Sequence, residues 1–338
     1  MKKFDLEKLY KRPITVQIDA TSSCNLSCAY CYNKSNFVDK DDLNDEQFMF
    51  MIRKVINELN PVRVCFSGGE TLLRKKIFLK SAKLLKANEI DVHINTNGFL
   101  IDVKTAKEMK KIGVDLVRIA VDSLDSLDNT TRWGKSLNKT LEVLSKYFYS
   151  DRVVIACVVR KSNYKSLLDM AKFVKKRGFG TFHLLDLIPC DANSKKEMLS
   201  KEEWIEFYKI YSEIKKIGVN IIPNHALLFV DGQTKRLLVP FCMAGKYKMI
   251  LTAGGFVVPC NYFKTKDYIC GNVKEDNLLE IWQNSEILKK FRYPLWSNKK
   301  CKNCSSSKFC QGGCKALAEK ILGDPFGGDP YCIKYGLA

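Results

Sequence analysis

Histidine is scarce in this chain of 338 residues: His93, His183 and His225 are the full set. Each reads as a structural residue sooner than as a catalytic one, so the sequence names no general base. Acidic residues are also in short supply. Asp and Glu number 37 against 56 Lys and Arg, a formal charge of +19. No apolar run reaches eighteen residues, which argues against a transmembrane helix. The opening Met1-Lys2-Lys3-Phe4-Asp5-Leu6-Glu7 has no apolar core. That argues against a secretory signal and for a cytoplasmic protein. No repeat and no low-complexity tract is present. Hydrophobic residues make up 46% of the chain, enough for a sizeable core and too many for a disordered segment.

The positive balance suits nucleic acid, an acidic peptide or another anionic partner. Much of the lysine falls on helix faces such as Arg74-Lys75-Lys76-Ile77-Phe78-Leu79-Lys80, where a solvated face is the simpler reading. The stretch from Lys289 to Trp296 mixes basic and aromatic residues that could stack bases, but its rings equally suit packing against a cysteine-rich segment. Nucleic acid is therefore the weaker reading.

Cysteine is abundant. Fourteen are present: three near the N-terminus, eight between Cys242 and Cys332, and Cys65, Cys157 and Cys190 between these groups. A reducing compartment argues against a disulfide framework. Cys65 and Cys157 fall inside apolar runs and read as small buried side chains, as does Cys190. Cys24, Cys28 and Cys31 share one loop, Cys24-Asn25-Leu26-Ser27-Cys28-Ala29-Tyr30-Cys31, after the apolar run Ile14 to Ile18. Three thiols can converge on one metal centre and leave a position open, as catalysis requires.

Strand and helix patterns alternate from there. Asn44 can cap a helix to about Leu59, stopped by Pro61, and Val62 to Phe66 reads as a strand ending in Ser67-Gly68-Gly69-Glu70. Helix Arg74–Ala87, strand Asp91–Asn95, helix Val103–Ile112, strand Asp115–Val121 and helix Lys135–Tyr147 follow. Strand Arg152–Val159, helix Tyr164–Lys176, strand Thr181–Ile188 and helix Lys201–Ile217 complete six strand–helix units. This alternation predicts an α/β fold, a partial (βα)6 TIM-like barrel with a parallel sheet and its site at the C-terminal ends of the strands. The pattern breaks between Asn220 and Val239. Beyond it come a hairpin around Gly254-Gly255, a helical stretch Asn277–Phe291 and the cysteine-rich C-terminal part. The boundary is placed near residue 235, giving segments 1–235 and 236–338.

The Cys-x3-Cys-x2-Cys loop after a first strand resembles the signature of the radical S-adenosylmethionine (SAM) superfamily. The aromatic Tyr30 before the last cysteine fits it too. In that family three thiolates hold a 4Fe–4S cluster, and SAM's amine and carboxylate take the fourth iron. The resemblance makes Gly68, Gly69 and Glu70 the element that receives SAM's amino group, with Thr71 where relatives often have proline. It places Asn95 and Asn97 at polar contacts to SAM. Ala120 stands where relatives often have a serine, with Ser123 the nearest hydroxyl. Arg132 matches an arginine that pairs with SAM's carboxylate.

The C-terminal pattern runs Cys242, Gly255, Cys260, then Cys301-x2-Cys304-x5-Cys310-x3-Cys314 and Cys332. It resembles the SPASM domain, an auxiliary iron–sulfur extension of radical SAM enzymes that modify peptides and proteins. Gly271-Asn272-Val273 and Leu279-Glu280-Ile281-Trp282 resemble it as well. By the family's interleaved pattern Cys242, Cys260 and Cys314 hold one auxiliary cluster with Cys270 as fourth ligand, and Cys301, Cys304, Cys310 and Cys332 hold the other. Structural zinc is the rival for these thiols. The resemblance thus implies three 4Fe–4S clusters and SAM, fed by flavodoxin or ferredoxin.

The expected activity is hydrogen abstraction from a peptide or protein, possibly an acidic one. Sulfatase maturation is the alternative, weakened because the aspartate that such relatives use as a base is replaced by Asn261. Radical modification of a small molecule or cofactor is a further alternative. A non-enzymatic electron-transfer scaffold is the last, opposed by the intact Cys24, Cys28, Cys31 and Glu70. Few residues precede the first strand, so leader recognition would fall to a separate protein.

Overall fold

The computed structural model describes residues 10–35, 39, 41–125, 132, 137–223, 242–293, 298–305 and 307–333. Its frame is one ten-stranded sheet. The strands are β1 Thr15–Asp19, β2 Arg63–Ser67, β3 Asp91–Thr96, β4 Leu116–Ala120, β5 Val153–Val159, β6 Thr181–Asp186 and β7 Asn220–Ile222, then β8 Lys248–Leu251, β9 Phe256–Val258 and β10 Gly271–Asn272. Their order is β10-β9-β8-β1-β2-β3-β4-β5-β6-β7. Pairing is parallel from β8 through β1 to β7 and antiparallel at β8–β9 and β9–β10. The order is linear, with β10 and β7 at its two edges, so the sheet stays open.

Alternate residues of a strand face opposite ways. Val16, Ile18, Val64, Phe66, Val92, Ile94, Val117, Ile119 and Ile155 lie on one face, all fully buried in the main core beneath the helices. Burying each such side chain is worth about 1.5–3 kcal/mol. The residues between them turn to the other face, which is polar: Gln17, Asp19, Ser67, His93, Asn95, Arg118 and His183. The apolar face builds the fold, and the polar face lines its lumen.

Helix ends follow local chemistry. Asn44 and Gln47 form a reciprocal capping box for Asp45–Lys54, and Ser200 with Glu203 do the same for Lys201–Lys216. The first helix continues as a wider π turn, Val55–Leu59, and stops at Asn60 in a left-handed conformation one residue before Pro61. Gly113 closes Val103–Ile112 at φ 87°. Two sequence expectations change. The stretch Asn277–Phe291 is two helices, Leu278–Asn284 and Glu286–Arg292, because the Ser285 side chain caps the second. The six expected strands are extended at both ends, since β7 adds beside β6 and the C-terminal hairpin adds through β8 beside β1. The expected boundary near residue 235 and His225 lie outside the described residues.

The C-terminal part is seated on the barrel by buried polar contacts. Trp282 Nε1 donates to Tyr10 O at 2.6 Å, and the Arg292 guanidinium lies 4.9 Å from the Trp282 ring. Arg292 also donates to the carbonyls of Gly245 and Trp282, each at 2.8 Å. A second, smaller core gathers Ile188, Ala244, Phe263, Phe291 and Ala316 around Cys242, Cys260 and Cys314.

Candidate active site

The cysteine loop leaves β1 at its C-terminal tip and is held at its root. The Asp42 carboxylate accepts from the Thr21 hydroxyl and from Ser22 through its backbone N–H at 2.9 Å and its hydroxyl at 2.7 Å. The tip of β2 then clamps the loop. Gly69 N–H donates to Thr21 O and Glu70 N–H to Ser23 O, both at 2.8 Å. This approach needs glycine. A Cβ on Gly69 would stand 1.9 Å from Ser23 O, and one on Gly68, at φ +116°, would stand 2.4 Å from Thr21 O. Ser67-Gly68-Gly69-Glu70 and the cysteine loop are thus one mechanical unit.

Glu70 extends the unit to β3. Its buried carboxylate accepts from Leu72 N at 3.0 Å, the Thr96 hydroxyl at 2.7 Å and Asn97 N at 2.8 Å. Burial raises its proton affinity, against which these donors work. A carboxylate has about four acceptor positions, so one remains for a further donor. The Asn97 amide donates to Asn25 Oδ1 at 2.8 Å and lies 4.0 Å from Cys24 Sγ. Asn95 turns into the lumen, donating to Ser67 Oγ at 3.4 Å and accepting from Arg118 Nη1 at 3.0 Å.

Cys31 lies close enough to Cys24 and Cys28 to raise the proton affinity of both, and Cys24 adds to it at Cys28. Burial is the larger cause for Cys24 and Cys28, and Arg132 opposes it at both. Among the described residues no three Cys, His, Asp or Glu side chains converge on a single ion position. A 4Fe–4S cube bonds each thiolate to a different iron, so a looser group of soft thiols with a cation beside it suits a cluster better than one ion.

Tyr30, between Cys28 and Cys31, anchors a buried charged group that the sequence did not reveal. Its hydroxyl donates to Asp122 and accepts from Arg132, while Arg132 Nε stands 2.8 Å from the same Asp122 oxygen. Arg132, expected at SAM's carboxylate, is therefore already engaged here. Arg160, directly after β5, stacks on the Tyr30 ring at 4.5 Å and is 1% exposed. Its Nη1 reaches Glu197 at 3.6 Å, whereas Nε and Nη2 have no hydrogen-bond partner. Such orphaned donors fit an anionic group bound at the strand tips. Arg160's place at the end of a strand was the available signal. Ala120 offers no hydroxyl, and Ser123 is fully buried and spends its own on Asp125.

The C-terminal thiols form two groups. Burial is the main cause of the raised proton affinity of Cys260 and Cys314, and the neighbouring Cys242 adds to it at both. Burial likewise raises Cys301, Cys310 and Cys332, with Cys304 adding at Cys301 and Cys332 and Asp329 at all three. Asp329 is itself fixed by Cys314 N at 3.2 Å and Tyr331 N at 2.9 Å. Cys270 lies beside β9, its N–H donating to Val257 O at 2.8 Å. Its thiol contacts Tyr268 O at 3.6 Å and the Ser285 side chain, and burial pushes it up to about 12. It packs on the main core, as Cys314 does.

Residues just after Cys260 reach into the lumen. Asn261 Oδ1 accepts from Gln17 Nε2 at 2.8 Å. Lys264 forms an ion pair with Asp19, each 1% exposed, and donates to Asn33 Oδ1 at 3.2 Å. Tyr262 packs on Tyr32 with ring centroids 5.4 Å apart. The two cysteine regions therefore meet across β1.

An open α/β barrel thus carries three thiols and two glycines together at the tips of its first strands. The chain belongs to the Radical SAM superfamily, whose model matches residues 18–190, and an iron–sulfur cluster-binding domain matches residues 242–305. These domains imply iron–sulfur clusters and SAM. The chain is 26% identical to the AdoMet-dependent heme synthase of Methanosarcina barkeri over 95% of this chain and 96% of that protein. It is 24% identical to the mycofactocin maturase of Mycolicibacterium smegmatis, over 95% and 83%. The fold matches anSMEcpe with bound AdoMet and Cp18Cys peptide, with a TM-score of 0.75 and 22% identity, covering 96% of this chain and 95% of that one.

Proposed function

We propose that the chain cleaves SAM reductively at a cluster held by Cys24, Cys28 and Cys31, and abstracts hydrogen from a peptide or protein substrate. The observation that carries this is the clamp of Gly69 and Glu70 on the cysteine loop, which joins the thiols to the polar tips of β2 and β3. Cluster and SAM together would supply a 5′-deoxyadenosyl radical. The protein's part is placement. Glu70 keeps one acceptor position for SAM's amine, Asn97 sits beside Cys24, and Arg160 offers two unfilled donors to an anion. Tyr30, Gly68, Asn95 and Arg132 complete the proposed contacts.

Two further clusters are proposed, one on Cys242, Cys260 and Cys314 with Cys270 as fourth ligand, the other on Cys301, Cys304, Cys310 and Cys332, giving three in all. We assign residues 1–235 to the core and 236–338 to the auxiliary domain. Flavodoxin or ferredoxin would deliver the electron. Fourteen free cysteines support a reducing, cytoplasmic setting. The peptide reading is supported by the mycofactocin maturase and by the peptide-bound neighbour of like fold. A second reading, radical modification of a small molecule or cofactor, is favoured by the heme synthase relative. Asn261, engaged with Gln17, offers no acid for sulfatase maturation. Anaerobically reconstituted protein given SAM and dithionite should yield 5′-deoxyadenosine. No product from cluster-replete protein would end this reading.

A further inference from the structure

The lumen face carries an arginine, Arg118, whose charge has no ion-pair partner among the described residues. Arg118 is the middle residue of β4 on its polar face, paired in register with Asn95 of β3 and Val154 of β5. Its Nη1 donates to Asn95 Oδ1 at 3.0 Å, and its Nε has no partner. The acids around it are already matched. Asp19 is paired with Lys264, Asp115 with Lys86 and Arg152, and Asp122 with Arg132. Among the described residues Arg118 forms no ion pair, and a half-buried guanidinium with a buried, unpartnered Nε favours a counter-ion.

Its surroundings are built for an acceptor. In the next inward row Ala120 of β4, Ala156 of β5 and His183 of β6 are in register. The two alanines are small and leave room between Arg118 and His183. His183 Nδ1 is buried without a partner, and burial and then Arg118 hold its proton affinity far below the usual imidazole range, at about 3. A neutral imidazole presents one N–H donor and one lone pair. The guanidinium of Arg118 and the His183 N–H thus offer donors of the kind that hold a carboxylate, with Asn95 Oδ1 orienting Arg118.

The geometry points to a carboxylate-binding subsite in the barrel lumen, formed by Arg118 and His183, that anchors the substrate by an acidic group while another part reaches the strand tips. This rests on the reading of the chain as a SAM-cleaving enzyme with its substrate in the barrel. The carboxylate could belong to an acidic side chain of a peptide or to a small acid. The charge is fixed by Arg118 and the orientation by Asn95, itself tied through Ser67 to the β2 tip. Binding there would align the substrate with the cysteine loop.

Three histidines make the test direct. Reconstituted full-length enzyme labelled with 15N in its imidazoles would be titrated with propionate, propionamide, N-acetylglutamate amide and N-acetylglutamine amide. The His183 resonances, assigned by their loss in H183Q, should shift saturably with the two acids and stay fixed with the two amides. R118Q should weaken the acid response by about tenfold or more, and R118K should keep part of it. Should R118Q fail to fold, R118K and the acid–amide contrast in the wild type still decide. Tighter binding of the glutamate probe than of propionate would mark a peptide source, and equal binding a small acid. Shifts with the amides equal to those with the acids, or an unchanged response in R118Q, would overturn the subsite. Wild-type 5′-deoxyadenosine formation, measured on the same preparation, reports separately on SAM cleavage.

Discussion

Cys24 of the β1 loop and Cys314 of the C-terminal part sit in opposite surroundings. Cys24 is exposed, beside Asn25 and Asn97, and receives the Leu26 N–H at 3.4 Å. Cys314 is wedged between the two cores, and burial raises its proton affinity well above the ordinary thiol value. On the proposed reading, the difference separates two uses of the same ligand chemistry within one chain. Thiols at strand tips among polar residues leave room for a co-substrate. Thiols packed into a core can hold a sealed centre that passes electrons. The link between the two regions is built from β1 outward, through Asp19–Lys264 and Gln17–Asn261.

The largest expected effect tests that division at its root. Cys28→Ser should abolish 5′-deoxyadenosine formation and remove about four irons per chain. Cys314→Ser, in the sealed region, should leave SAM cleavage measurable and reduce substrate turnover. Chromatographic product assay and iron analysis give the readout, and equal loss in both variants would break the comparison. Gly69→Ala comes next. Its Cβ would overlap Ser23 O, so the loop must shift, and SAM affinity by equilibrium dialysis should fall by about tenfold or more, with the fold retained by circular dichroism.

A smaller effect, on stability, probes the bridge. Lys264→Met strands the buried Asp19 carboxylate and should cost about 3–5 kcal/mol, read as a lower urea midpoint. Adding Asp19→Asn should recover part of that loss. The smallest effect concerns the lumen histidines. Burial is the main cause that lowers His93 to about 4 and His183 to about 3, from 6.5. Both folded values lie below the unfolded one, so their stability contribution is complete above pH 6.5 and is lost as pH falls toward 4 and then 3. His183→Gln should flatten the urea midpoint against pH between 7.5 and 5.5, and an unchanged slope would show that His183 titrates freely.

Much of the frame was legible because it depends on local patterns. Val16 and Ile18 against Gln17 and Asp19 announce a strand with one buried face, and Asn44 with Gln47 announces a helix start. The cysteine spacing and Gly68-Gly69 were readable because backbone proximity demands those residue types. What stayed hidden depends on contacts between distant segments. Nothing local in Lys264 reports that it pairs with Asp19, 245 residues away. The place of β8 beside β1 was equally silent, because a four-residue strand does not encode which edge it joins. Arg132 and Arg160 illustrate the same limit, since identical chemistry becomes engaged or unfilled according to where Asp122 lands.

The division between an open and a sealed set of thiols is tested most directly by the electron paramagnetic resonance spectrum of the dithionite-reduced enzyme with and without SAM. The account predicts that SAM shifts one component of the spectrum, that this component is absent in Cys28→Ser, and that the remaining signals do not move. A spectrum unchanged by SAM, or a SAM-induced shift that persists in Cys28→Ser, would contradict it.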